Sequence, residues 1–164
     1  MKVGILTWHF AINYGAVWQC LALQNYLKGK NINVEIINFI PPKFNYSPIF
    51  RQNNYRKSIK EGILKAFIKY QYGSKMKEKF LKFQNSFLET SSVYKVDDLA
   101  SISNEYDLVI VGSDQVWNES HFDHGTYFFR GFINFSGFRA SYAPCNVLYN
   151  NNNSLLNEVS KDLL

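Results

Sequence analysis

The chain lacks any run of about 18 or more apolar residues, so no segment of it reads as a membrane span. No leader is expected either. The N-terminus enters an apolar strand directly, without the charged region, apolar core and small-residue cleavage site of a signal peptide. Cysteine is scarce: Cys20 and Cys145 lie far apart and form no metal-type pair, which predicts a reducing, cytoplasmic setting. Neither G-x-G-x-x-G nor G-x-x-x-x-G-K-[ST] occurs, which disfavours a dinucleotide or a P-loop nucleotide. A chain of 164 residues with 46% hydrophobic content is enough for one α/β domain, 1–164, with a real core.

The stretch Lys2 to Leu27 organises the rest. Val3-Gly4-Ile5-Leu6 is an apolar run, a polar turn through His9, Asn13, Tyr14 and Gly15 follows, and Ala16, Val17, Cys20, Leu21, Leu23 and Leu27 recur at helical spacing. This predicts a buried strand, a turn and a helix. Asn13 reads as the N-cap, its side-chain oxygen accepting from a first-turn amide, and Gly15 allows a close approach to the backbone. The amides and dipole of such a helix start favour an anion, commonly a phosphate or carboxylate, although most helix starts bind only water and their own cap. Cys20 falls on the inward face of this helix and reads as a small apolar filler.

Charge is unevenly spread. From Lys43 to Lys82 there are 11 Lys or Arg against Glu61 and Glu78, a local balance of +9, within a net charge of +5. Such a block invites a nucleic-acid or anionic-membrane reading. The bland reading is two amphipathic helices with solvated lysine faces. One has the stripe Ile59, Gly62, Ile63, Ala66, Phe67 and Tyr70; the other has Met76, Phe80, Phe83 and Phe87, with Ser74 as cap. The helical account takes precedence, and nucleic acid is not expected as a partner.

Gly29 and Asn31 stop the first helix, and Val34 to Phe39 predicts a second strand before Pro41-Pro42. Strand, helix and strand in this span make a parallel βαβ unit with a right-handed crossover. Asn38 stands where a dinucleotide fold would place an acidic ribose ligand. Pro42 to Asn54 reads as a loop, and Asp97-Asp98-Leu99 as the start of a short helical turn. Tyr106 to Val111 predicts a third strand, unbroken in apolar character as in parallel sheets covered on both faces. It breaks into the loop Gly112-Ser113-Asp114-Gln115-Val116-Trp117-Asn118, beyond the carboxyl end of the strand, where open α/β sheets place ligands. Arg139 to Pro144 predicts a fourth strand. An asparagine-rich turn and a last helix over Leu155 to Leu164 close the chain.

These segments carry a resemblance. KVGILTWHFAINYGAVWQCLALQNYLKGKNINVEIINF, then YDLVIVGSDQVWN, then ASYAP resemble the polysaccharide pyruvyl transferase family, with the N-Y-G-A-V-x-Q helix entry and the V-G-S-D-Q-x-W-N loop in order. The resemblance implies a Rossmann-like parallel sheet flanked by helices, similar to the N-terminal lobe of a glycosyltransferase-B-like fold. It implies transfer of the pyruvyl group of phosphoenolpyruvate to sugar hydroxyls, as a ketal, in cell-surface or exopolysaccharide synthesis. No cofactor is implied: phosphoenolpyruvate is the donor substrate and a saccharide the acceptor. The chain departs from the family at Pro144-Cys145-Asn146-Val147, where a small residue, serine, an aromatic and glycine are usual. Full-length members carry a second lobe, so this chain is expected to be a fragment completed by a second-lobe chain or by a homo-oligomer.

Ketal formation from an enol phosphate needs an acid for the methylene carbon, donors for phosphate and carboxylate, and a base for the attacking hydroxyls. Asp114 is the candidate base or sugar-hydroxyl acceptor, and His9, which titrates near neutrality, the candidate acid or base. Asn13, Tyr14 and Gly15 would donate to an anion or a sugar, Ser113, Gln115 and Asn118 would orient the sugar, and Trp117 would stack on its ring. Each has a plain alternative: Asp114 as a helix cap, Trp117 as core, His9 as a hydrogen-bonded structural histidine. His121, Asp123 and His124 could ligate a metal, but no further ligands follow at recognisable spacing, and no metal is expected. Cys20 and Cys145 lack the setting of a nucleophile. The competing functions are a non-catalytic sugar- or anion-binding half-domain, and a basic nucleic-acid or membrane-surface binder.

Overall fold

The computed structural model describes residues 1–40, 75–95, 102, 105–117 and 135–145. Five strands form one sheet: β1 (Lys2–Leu6), β2 (Asn33–Phe39), β3 (Thr90–Tyr94), β4 (Leu108–Asp114) and β5 (Phe138–Pro144). All pairings are parallel and the order is β3-β2-β1-β4-β5. Helix α1 (Tyr14–Gly29) joins β1 to β2, and α2, helical over 75–87, leads into β3. This is the expected Rossmann-like α/β arrangement. Among the described residues no helix is long and apolar enough to cross a membrane.

The period of two along a strand divides the core in two. Val3, Ile5, Val34 and Ile36 pack with Cys20, Leu21 and Leu88 on one face. Leu6, Ile37, Phe39, Val109 and Val111 pack with Tyr94, Ile102, Tyr106, Val116 and Phe135 on the other. With both faces covered, Val3 to Leu6 of β1 carry no polar residue to alternate with, which is why they read as an unbroken apolar run. Burial also pushes the Cys20 thiol far above its usual titration range, consistent with a packing role.

Both ends of α1 are chemically specified. Asn13 has extended backbone and its Oδ1 accepts from the Gly15 amide at 2.8 Å. At the other end Asn31 takes a left-handed φ of 58°. Its amide donates to the Lys28 carbonyl at 2.8 Å, and the Ile32 amide to the Leu27 carbonyl at 3.2 Å. That pair of bonds is a Schellman stop, and Leu27 and Ile32 share the same apolar cluster as its hydrophobic contact.

Three expectations change. β3 is a strand where none is predicted: Thr90-Ser91-Ser92-Val93-Tyr94 has no apolar alternation because it is an edge, buried only at Tyr94. β4 begins at Leu108 rather than Tyr106 and runs on through Gly112 to Asp114, residues expected to form a loop, because β5 continues the ladder to Asp114↔Pro144. On α2 the stripe is rotated. Phe80 is buried, but Phe87 is 57% exposed, and Gln84 and Leu88 take the inward positions. The helix expected over Ile59 to Tyr70, its neighbour's Ser74 cap, the turn at Asp97 and the C-terminal helix lie outside the described residues.

Candidate active site at the carboxyl ends of β1 and β4

Connections leave β1 toward β2 and leave β4 toward β5, so the sheet reverses direction between these neighbours. In an open parallel sheet such a reversal opens a crevice beyond the strand ends. The register Leu6↔Val111 brings Thr7 and Gly112 out side by side at that edge. The Thr7 hydroxyl, buried, lies 3.5 Å from the Ser113 carbonyl oxygen it faces. The Ser113 hydroxyl donates to Gln19 Oε1 at 2.9 Å, fastening the end of β4 to the second turn of α1. The Asn13-capped helix start and the Ser113 segment are thus brought to one rim.

The backbone of that rim is unusual. The Gly112–Ser113 peptide is cis, and Gly112 has a φ of 116°. A Cβ on Gly112 would stand 2.2 Å from the Tyr142 carbonyl oxygen, so only glycine lets β4 and β5 approach here. Asp114 follows at φ 77°, and Ala143, on the adjoining strand, at φ 44°. The Asp114 carbonyl accepts from the Cys145 amide at 2.8 Å, which holds the bend closed. Non-glycine residues at positive φ cost free energy and collect where function requires a particular placement. Asp114 is half-buried at the end of β4, with Gln115 beside it and Trp117 partly buried against the core.

His9 is placed differently. Its side chain is inside, with Nδ1 3.3 Å from the Thr7 carbonyl oxygen and Nε2 3.1 Å from Asn38 Oδ1. The Gln84 side-chain amide donates to the His9 carbonyl, and the ring meets Phe10 edge-on with centroids 5.4 Å apart. Burial holds the His9 pKa below that of an ordinary histidine, against the opposing pull of Asn38 and the Thr7 carbonyl. This geometry fixes the β1–α1 loop from beneath. Tyr14 is 69% exposed and rests on Phe80 at 4.7 Å between centroids. Asn118, His121, Asp123 and His124 lie outside the described residues.

The structure therefore gathers Asn13, Gly15, Ser113 and Asp114 at one edge, puts Tyr14 and Trp117 on its flanks, and sets His9 under it. Two contributors have no assigned role in the sequence. Thr7 carries no signal beyond following an apolar run. Gln19 is the final residue of the N-Y-G-A-V-x-Q entry, and that position in the motif was the available signal.

No curated protein and no solved structure matches the chain. A family model does: the one described as polysaccharide pyruvyl transferase spans residues 13–156, taking in both the helix entry and the Ser113 segment. By that match over most of its length, the chain belongs to the polysaccharide pyruvyl transferase family.

Proposed function

We propose that this protein acts in transfer of the pyruvyl group of phosphoenolpyruvate to a saccharide, forming a cyclic ketal in cell-surface or exopolysaccharide synthesis. The observation that carries the reading is the joining of the two motif segments at the switch point by the Ser113–Gln19 bond. The amides at the Asn13-capped start of α1 offer donors to a carboxylate or phosphate oxygen. Protonation of the methylene carbon makes C2 of the donor electrophilic, and the Asp114 carboxylate accepts the proton of an acceptor hydroxyl as that oxygen adds to C2. Phosphate then leaves with the electron pair of its C2–O bond, and the second hydroxyl adds to C2, gives its proton to the departed phosphate and closes the ketal. Ser113, Gln115 and Asn118 orient the sugar and Trp117 bounds its ring, while His9 keeps the loop in place.

None of residues 7–15 or 113–117 is Arg or Lys. Phosphoenolpyruvate is a polyanion, and helix amides alone neutralise only part of its charge. The remaining cationic groups come, in this reading, from a facing lobe or a partner chain. The test is release of inorganic phosphate from phosphoenolpyruvate in the presence of sugar acceptors, with the chain alone and with a second lobe supplied. Turnover only with the second lobe supports the cleft reading. Calorimetric heat with saccharides but no phosphate release under either condition favours the non-catalytic binding half-domain.

A further inference from the structure

The outer faces of α1 and α2 meet along a groove of about 240 Å³ lined by Tyr14, Val17, Trp18, Lys79, Phe80 and Phe83. The rings form a continuous ladder. Trp18 and Phe83 stand 5.6 Å apart between centroids, and Phe83 and Phe87 stand 4.7 Å apart. Solvent reaches 58% of Trp18 and 57% of Phe87, so both ends of the ladder are open, while Phe83 between them is half-buried against the core. Contiguous exposed apolar surface of this kind marks a contact face.

Helical spacing sets charge beside it. At 100° per residue, Lys82, Lys75 and Lys79 share one stripe of α2, and Phe83, Phe87 and Phe80 form the next stripe round. Buried Gln84 and Leu88 come after that. Passing round the helix one meets cationic, aromatic and then core positions, with the half-buried Lys77 among the last. Glu78, the one acid of α2, lies on the far side of the lysines and pairs with Lys82 at 2.9 Å.

We propose that this face docks the protein on an anionic lipid bilayer. Trp and Phe rings bordered by lysines match the membrane–water boundary, where rings settle at headgroup depth and ammonium groups reach lipid phosphates on their flexible stems. The block from Lys43 to Lys82, at +9, adds longer-range attraction to the same lipids. A single-stranded nucleic acid would need free ring faces on which bases stack; here the rings contact one another, and Val17 and Lys79 complete the lining.

The experiment is co-sedimentation of the full chain with phosphatidylcholine vesicles, with and without phosphatidylglycerol. The expected result is binding to the anionic vesicles only, weakened about tenfold both by W18S with F87S and by K75E with K79E. Heparin retention should fall with the lysine changes and stay unchanged with the aromatic ones. Quenching of tryptophan fluorescence by brominated phosphatidylglycerol reports the same contact in the unaltered chain. Equal partition to both vesicles, no quenching, or full vesicle binding by the W18S/F87S protein would overturn the proposal. So would a wild-type dimer that W18S dissolves, since the face would then be covered by a second copy.

Discussion

The Ser113 hydroxyl donates to Gln19 Oε1 at 2.9 Å across 94 positions of sequence, and one bond thereby ties the loop motif to the helix-entry motif. Ser113 is buried and Gln19 is exposed, so the bond is made at the lip of the crevice. Ser113→Ala removes the donor at the buried end and should cost about 1 kcal/mol of stability, the usual net worth of a neutral hydrogen bond. Gln19→Ala should cost less, because its amide can be replaced by water. The double change should cost little more than Ser113→Ala alone. Urea denaturation of the four proteins closes the cycle. Phosphate release should fall in both single variants, because each frees the end of β4 from α1.

How far the sequence foretells this arrangement depends on how local each determinant is. β1, α1 and β2 are legible because an apolar run, an Asn13 cap and an Asn31 stop each act within a few residues. β3 is not, since Thr90–Tyr94 becomes a strand only by pairing with β2, and Ser91 Oγ accepting from the Asn38 amide at 2.9 Å is a contact 53 positions long. Gly112 to Asp114 look like a loop by composition and become strand because β5 pairs with them. The rim position of Ser113 and Asp114 follows from their place after an apolar strand. The setting of His9 does not, because its partners Asn38 and Gln84 are brought in by β2 and α2.

Acid should weaken the fold through His9. Burial lowers its pKa in the folded chain, so the folded protein holds fewer protons than the unfolded one below the ordinary histidine value of 6.5. Stability from this group is therefore complete above that value and is lost as pH falls from it toward the folded pKa. The slope can reach about 1.4 kcal/mol per pH unit. Both ring contacts favour the imidazolium, and desolvation outweighs them. Urea midpoints measured from pH 7.5 downward should fall in the wild type. The fall should be shallower in His9→Gln, which starts lower at neutral pH but carries no proton there.

Gln24 is fully buried, and its carboxamide pairs with both backbone polar groups of one residue. Nε2 donates to the Glu89 carbonyl at 2.8 Å, and the Glu89 amide donates to Oε1 at 3.1 Å. The same Glu89 carbonyl also accepts from the Ile36 amide at 2.8 Å, so it keeps one partner if Gln24 is lost. The Glu89 amide keeps none among the described residues. Gln24→Leu, close in volume, should cost about 2 to 3 kcal/mol, set by that stranded donor rather than by packing. Hydrogen exchange locates the effect: the Glu89 amide should lose most of its protection, and the β1–β4 ladder should change only through global stability.

Asp114 offers a separation of stability from function. It sits at φ 77°, a region that costs an ordinary side chain about 1 kcal/mol or more and costs glycine nothing. Asp114→Gly should therefore raise stability by about 1 kcal/mol, partly offset by the added freedom of the unfolded chain. Asp114→Asn tolerates the same backbone and should leave the melting temperature nearly unchanged. Both remove the carboxylate proposed to accept a proton from the acceptor hydroxyl, so both should lower kcat for phosphate release by about 10²- to 10⁴-fold. A residue kept at a strained position only for packing would give the opposite pattern: glycine destabilising, asparagine neutral, and turnover in the complete enzyme unaffected by either. Thermal melts beside phosphate-release rates on the three proteins decide between these outcomes.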